Sequence, residues 1–315
     1  MPTPTIDWSH GKKPWVLVIQ GATASGKTGL AVKLAKRFGA EIISADSRQL
    51  YREMKIGTAK PSGAEMQSIP HHLIDCLGVD EDFTAGDFER EALRCIGEIV
   101  ERKRLPIVVG GTGLYMRALL QGLDELPRDQ HLRERLQDQY EKHGLESLQK
   151  ELRKLDPEYF ATSDVQNPRR VMRALELLML SGPGSSMAQL HQKAAPERPF
   201  KAIKIATELP REELYSHIDR RVDAMMEAGL MDEVRALLPQ RDRPALQCLG
   251  YTELFEYLDG TCELQEAVEN IKRNSRRYAK RQLTWLRREE GLKAFDPEDL
   301  EALCKYISMQ METSR

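Results

Sequence analysis

The octapeptide GATASGKT at positions 21–28 constrains this chain more than any other feature. It satisfies G-x-x-x-x-G-K-[ST] between a short apolar run and a helical pattern. A loop of this kind cradles phosphate. Glycine and small residues let backbone N–H groups converge on phosphate oxygens, and the helix that follows points its positive end at the same place. Gly21, Ala22, Thr23, Ala24, Ser25 and Gly26 are therefore expected to line a pyrophosphate site. Lys27 adds a point charge, and the Thr28 hydroxyl is placed to bind Mg²⁺. Nucleotide-binding proteins, ATP-binding ones included, share the motif, so it identifies phosphate binding and not the reaction.

The surrounding pattern is that of an α/β chain. WVLVIQ (15–20) is an apolar run ending at glycine, as a buried parallel strand should. Further strands are expected at 41–45, 105–109 and 201–207, with helices at 28–38 and 86–102. Strand, glycine turn and helix used repeatedly predict a P-loop NTPase-like parallel sheet flanked by helices. In such sheets ligands sit beyond the carboxyl ends of the strands, which brings the P-loop, Asp46 and Thr112 toward one crevice. Between 123 and 200 the character changes. Residues 131–155 are charged and amphipathic, with leucines at 132, 136, 145, 148, 152 and 155, and a second helix is expected at 168–180. The expected organisation is a first core part at 1–122, an all-helical insertion at 123–200, and a return to the core at 201–315, helical from 211 onward.

Composition sets bounds on partners. With a formal net charge of −2 no global field favours a polyanion, so any nucleic-acid surface must be a local patch. The five cysteines lie far apart without a C-x-x-C pair, which points to reduced, mostly buried thiols. No apolar stretch approaches the roughly 20 residues that cross a bilayer, and the N-terminal residues lack the apolar core of a signal peptide. The chain reads as cytoplasmic, with no membrane partner. No heptad or long apolar edge stands out, so a monomer is expected.

Three further features bear on the reaction. Asp46 opens DSRQLY at a strand end, where it can be a metal-binding acid, a general base, or simply the cap of the next turn. GGTGLY (110–115) can be a tight turn and nothing more, although Thr112 offers a hydroxyl where a bound donor could meet it. Lysine and arginine fill eight of the eighteen positions at 271–288, a density that suits a phosphate backbone better than a solvated face. Arg169, Arg170 and Arg173 form a second, smaller basic cluster.

Taken together, GATASGKT (21–28), DSRQLY (46–51), MKIGTAKP (54–61), GGTGLY (110–115), NPRRVMRALE (167–176), LGYTEL (249–254) and RRYAKRQLTW (276–285) resemble the tRNA dimethylallyltransferase, or tRNA isopentenyltransferase, family in that family's order. The resemblance implies transfer of a dimethylallyl group from dimethylallyl pyrophosphate to N6 of adenosine 37, beside the anticodon, with Mg²⁺. It implies a P-loop core whose helical insertion grips the anticodon stem-loop. It makes Asp46 the base for the N6 proton, places Thr112 at the donor channel, and sets Arg221 near the pyrophosphate with Lys27. Asp46, Ser47, Arg48 and Gln49 are implied to face tRNA. So are Arg169, Arg170, Val171, Met172 and Arg173, while the density of positive charge adds Arg276 and Arg277 of the basic helix as expected tRNA contacts. Three positions depart from the family pattern. Ala22 replaces a proline, which should only loosen the turn, and Ser275 stands where threonine is common. His217 stands where arginine is usual, which makes a charge there conditional on pH.

Rival readings explain less of the chain. A P-loop small-molecule kinase, or a prenyltransferase acting on free adenine nucleotide, leaves both basic clusters without a role. A nucleotide-binding RNA switch without group transfer would want an Asn-Lys-x-Asp guanine-reading segment, and none is present.

Overall fold

Val16, Leu17, Val18 and Ile19 all have zero exposure, so the strand they form, β1 (Trp15–Gly21), is covered on both faces. The structure, a computed structural model, describes residues 13–123, 127–190 and 197–313. The reading of the N-terminal segment thus lies, up to residue 12, outside the described residues. After β1 come α1 (Lys27–Phe38), β2 (Ala40–Ser44), α2 (Gly63–Met66), β3 (His71–His72), α3 (Ala85–Glu101), β4 (Leu105–Gly110) and α4 (Gly113–Gln121). Four helices follow: α5 (Gln130–Leu155), α6 (Pro157–Thr162), α7 (Pro168–Ser181) and α8 (Met187–Leu190). The chain then forms β5 (Lys201–Thr207), α9 (Arg211–Glu227), α10 (Leu230–Leu237), α11 (Tyr251–Leu258), α12 (Leu264–Leu286), β6 (Lys293–Phe295) and α13 (Leu300–Thr313).

The six strands form one parallel sheet in the order β3-β2-β4-β1-β5-β6. Alternation along each central strand divides the core into two layers. Val16, Val18, Ile43 and Val108 face a layer with Phe88, Ile96, Met116 and Leu254 of α3, α4 and α11. Leu17, Ile19, Ile42 and Ile107 face Leu30 and Leu34 of α1 and Leu303 and Ile307 of α13. Each such side chain contributes about 1.5–3 kcal/mol by leaving water. Helix ends are set by local chemistry: a Thr84/Asp87 capping box opens α3, and Gly39, at φ 63°, closes α1.

The chain divides into two compact units, Met1–Gln121 with Glu197–Arg315, and Gly122–Pro196. Within the second, Leu136, Leu148 and Leu152 of α5 meet Val171, Leu175 and Leu178 of α7. Glu176, only 1% exposed, sits in that core and accepts hydrogen bonds from Arg173 (2.6 Å), Arg133 (2.9 Å) and the Asp129 N–H (3.0 Å). Burial by itself would raise its pKa, but these donors hold it below the usual carboxylate range.

Two expectations need correction, and two local features go beyond what was expected. Within 131–155, Gly144, at φ 71°, breaks the helical path. The region after 211 is not wholly helical, since β6 extends the sheet beside β5. Strand β3 was likewise unforeseen; two and three residues at a sheet edge are too short to display a period. The cysteines are free, yet only Cys95 is buried; Cys76 is exposed and the other three are intermediate.

Candidate active site

The P-loop leaves β1 at Gly21 and enters α1 at Lys27. Gly26 takes φ 80°, a left-handed conformation that glycine adopts without steric cost, and caps α1, whose first N–H groups have no side-chain cap. Ser25 Oγ donates to Ala22 O (2.8 Å) and is hydrogen-bonded to Thr207 Oγ1 (2.6 Å), which braces the loop against β5. Ala22 is fully buried against Leu214, Ile218 and Ala279, so the residue in the proline position is a packing contact and not merely a looser turn. Lys27 Nζ donates across the loop to Ala22 O (2.8 Å). The side chain keeps some contact with solvent. Even so, the protein packed around its ammonium and the nearby Arg221 charge lower its pKa to about 8, with Asp46 opposing them.

Asp46 follows β2 at the carboxyl edge of the sheet. Its Oδ1 accepts from the N–H groups of Arg48 (2.9 Å) and Gln49 (3.4 Å), so the capping role is real. Oδ2 has no protein donor among the described residues, and the carboxyl lines two adjoining pockets. Capping thus occupies one of its two oxygens and leaves the other without a protein donor. Thr112 Oγ1 accepts from the Ser47 N–H (3.2 Å), which joins the loop after β4 to the loop after β2. A Cβ on Gly110 would fall 2.2 Å from Ala45 O, so only glycine permits that approach.

The smaller pocket, about 70 Å³, lies over the P-loop. Lys27, Thr28, Asp46, His71 and Arg221 line it. The larger, about 350 Å³, is lined by apolar Ile218, Val222, Met225, Leu249 and Ile271 together with polar Asp46, Ser47, Arg48 and Ser275. Thr23, Asp46, Arg221 and Tyr278 belong to both. Burial lowers the pKa of Arg221, against the opposing pull of Asp46 and Glu65, and its Nη2 donates to Thr58 O (3.5 Å). Burial, then the nearby Asp46 charge, pushes Tyr278 up to about 12. Among the described residues no three His, Cys, Asp or Glu side chains converge on a metal-sized point. Thr28 and Asp46 do share one pocket, a hydroxyl and a carboxylate of the kind Mg²⁺ accepts when phosphate and water complete its shell.

A latch absent from the sequence reading holds MKIGTAKP. Glu233 of α10 accepts from the N–H groups of Lys55 (2.9 Å), Ile56 (2.8 Å) and Gly57 (3.0 Å), and from Tyr251 Oη (2.6 Å). Its only sequence signal is an acid in a helix, which has many uses. Gln49 is 9% exposed, and its amide donates to Thr58 O (3.2 Å) and Ala59 O (3.3 Å) of the same loop.

The expected RNA-facing residues have different surroundings. Ser47 and Arg48 line the larger pocket, and Arg48 Nη1 donates to Pro244 O (3.1 Å). Arg169 and Arg170 are exposed on α7. Val171, at 1% exposure, belongs to the core of the helical unit and offers no side chain to a partner; Met172 packs partly against the same core. Arg173 is engaged with Glu176 and Pro127 O (3.0 Å). Helix α12 carries less unbalanced charge than its sequence suggests: Arg276 pairs with Asp219, and Lys272 with Asp223 (2.7 Å) and Glu269 (3.4 Å). Arg277 is exposed and has no acidic partner among the described residues. His217 lines neither pocket and lies 3.8 Å from Glu213 one turn earlier on α9.

The family model described as IPP transferase matches residues 49–289. A tRNA dimethylallyltransferase of Cytophaga hutchinsonii is 45% identical over 299 residues, covering 95% of this chain and 98% of that protein. The crystal structure of a tRNA isopentenylpyrophosphate transferase from Bacillus halodurans superposes with a TM-score of 0.72 at 40% identity, covering 96% of this chain and 98% of that one. A eukaryotic dimethylallyltransferase acting on tRNA gives a TM-score of 0.75 at 28% identity, over 94% of this chain and 77% of that one. No helix among the described residues is long and apolar enough to cross a membrane.

Proposed function

The chain belongs to the IPP transferase family, and from that premise we propose that it transfers a dimethylallyl group from dimethylallyl pyrophosphate to N6 of adenosine 37 in tRNA. One observation carries the reading. Asp46 and Arg221 line both the P-loop pocket and the larger, part-apolar pocket beside it. A base and a cation thus stand where a phosphate site meets a site able to take apolar and planar groups.

An exocyclic adenine amine is a weak nucleophile, because its lone pair is delocalised into the ring. Two aids are required. Asp46 Oδ2 accepts the N6 proton as the N6–C1 bond forms, a contribution of about 10²–10⁴ in rate. The C1–O bond breaks with its electron pair leaving on pyrophosphate, where Lys27, Arg221 and the loop N–H groups meet the growing charge. Mg²⁺, where bound, would be held by the Thr28 hydroxyl beside the phosphate and would supply further neutralisation of that charge. The apolar wall of Ile218, Val222, Met225 and Ile271 excludes water from the reactive carbon. Thr112 holds the Asp46 loop in register through Ser47.

For RNA recognition the candidates are Ser47, Arg48 and Arg277 on the core, and Arg169 and Arg170 on the helical unit. Gln49 contributes by bracing the 54–61 loop. We place the enzyme with its tRNA substrate in the cytoplasm, as a monomer. The deciding assay supplies unmodified tRNA, labelled dimethylallyl pyrophosphate and Mg²⁺, with AMP and ATP run in parallel. Label incorporated into tRNA alone supports the proposal. Label on AMP, or phosphate transfer from ATP, would move the chain to one of the rival readings.

A further inference from the structure

Gln282 lies on α12 within a stretch whose sequence draws attention only to its charge, yet it is 8% exposed and hydrogen-bonded at both ends of its carboxamide. Its Oε1 accepts from the P-loop N–H of Thr23 (2.8 Å), and its Nε2 donates to Gly111 O (2.9 Å) in the loop after β4. One partner can only donate and the other can only accept, so a carboxamide fits in one orientation and a carboxylate does not fit at all. The approach is close. A Cβ on Gly111 would fall 2.3 Å from Gln282 Nε2, so Gln282 holds this position only beside a glycine. Gln282 also lines both the P-loop pocket and an adjoining pocket of about 180 Å³ bounded by Thr112, Tyr278 and Trp285.

We propose that Gln282 is a positioning residue for the transfer: it sets the distance between the donor-holding P-loop and the loop that carries Thr112. By engaging Thr23 N–H it also turns that amide away from the phosphate nest, leaving the later loop amides to hold the donor. Misplacing one loop against the other by about 1 Å is enough to cost on the order of 10² in rate, even with both substrates bound. The inference rests on reading the P-loop as the donor site, Thr112 as standing at the donor channel, and Asp46 as the base facing the acceptor.

The test compares Gln282→Met and Gln282→Glu with the wild type in steady-state transfer from dimethylallyl pyrophosphate to unmodified tRNA, from pH 6 to pH 8. Gln282→Met fills the space without either hydrogen bond. We expect kcat to fall 30-fold or more, while the KM for donor changes less than fivefold. Gln282→Glu keeps the acceptor for Thr23 N–H but turns a second oxygen toward Gly111 O. Protonation restores a donor there, and burial raises the pKa of such a carboxyl. Its activity relative to wild type should therefore be at least fivefold higher at pH 6 than at pH 8. The titratable or charged groups around the same pockets are Lys27, Asp46, His71 and Arg221 from the core loops and α9, with Tyr278 and Arg281 from α12. They titrate in the wild type too, so the ratio removes them. If Gln282→Met fails to fold, the pH dependence of the Gln282→Glu ratio decides alone. A near-wild-type kcat for Gln282→Met, or a flat Gln282→Glu ratio, overturns the proposal. Absence of transfer by the wild type would instead count against the functional reading itself.

Discussion

Asp46 commits only one of its two oxygens to the fold: Oδ1 caps the turn at Arg48 and Gln49, and Oδ2 has no protein donor among the described residues, as the proposed base requires. Asparagine can keep the capping oxygen and lose the base. We expect Asp46→Asn to lower single-turnover transfer by about 10²–10⁴ with tRNA affinity within a few-fold of wild type. A rate close to wild type would reduce Asp46 to a cap. Lys27 carries a second residue-scale expectation. Its pKa is lowered to about 8, and bound pyrophosphate favours the ammonium. Affinity for inorganic pyrophosphate is thus full below about pH 8 and declines above it, because binding must then take up a proton, by up to about tenfold per pH unit. Calorimetry at pH 8.5 in two buffers of different ionisation enthalpy reads that uptake directly. Zero uptake in wild type, or the same uptake in Lys27→Met, would contradict the assignment.

At the scale of elements, α12 and α9 are tied by side chains that look, in sequence, like a nucleic-acid patch. Arg276 faces Asp219 and Lys272 faces Asp223, both pairs partly exposed, so each contributes at most about 1 kcal/mol. Arg277, one position further on, is exposed. The two arginines should therefore separate on substitution. Arg277→Ala should weaken tRNA binding and make the slope of log affinity against log salt shallower by about 0.7–0.9, one phosphate contact. Arg276→Ala should lower the melting temperature slightly and leave that slope unchanged. Equal slopes for Arg277→Ala and wild type would remove α12 from the RNA surface.

Taken as a whole molecule, the core is interrupted in sequence yet closed in space. Arg198 Nη2, just after the helical unit, donates to Ala118 O (2.6 Å) of α4, just before it, and pairs with Glu89. The two ends of the interruption are thereby held together within the core. The helical unit buries its own apolar cluster and neutralises its own buried Glu176. Replacing 122–196 by a short flexible linker should leave a core that folds and binds inorganic pyrophosphate within threefold of wild type. Its tRNA affinity should fall by at least tenfold. Unchanged tRNA affinity would mean that Arg169 and Arg170 take no part in recognition.

The elements legible in the sequence were those whose reasons are local. GATASGKT announces a phosphate cradle because its small residues, lysine and following helix act within eight positions. The buried strands β1 and β4 announce themselves by apolar runs ending at glycine, and α7 by its Asn167-Pro168 start. Pairings made across the fold were not legible. Nothing near Gln282 reveals that Thr23, 259 positions away, is its partner. Nothing near Arg276 reveals Asp219, so a run that is basic along the chain is partly neutral in space. Val171 illustrates the same limit on a smaller scale, since its place among arginines says nothing of which helix face meets α5. Local sequence determined where phosphate can bind and which segments are strand or helix, because backbone geometry and burial periodicity act over a few residues. Tertiary structure decided which charges remain free, which oxygen of Asp46 is available, and how far the P-loop stands from Thr112. Those are distances between segments that only the packed sheet and α12 bring together.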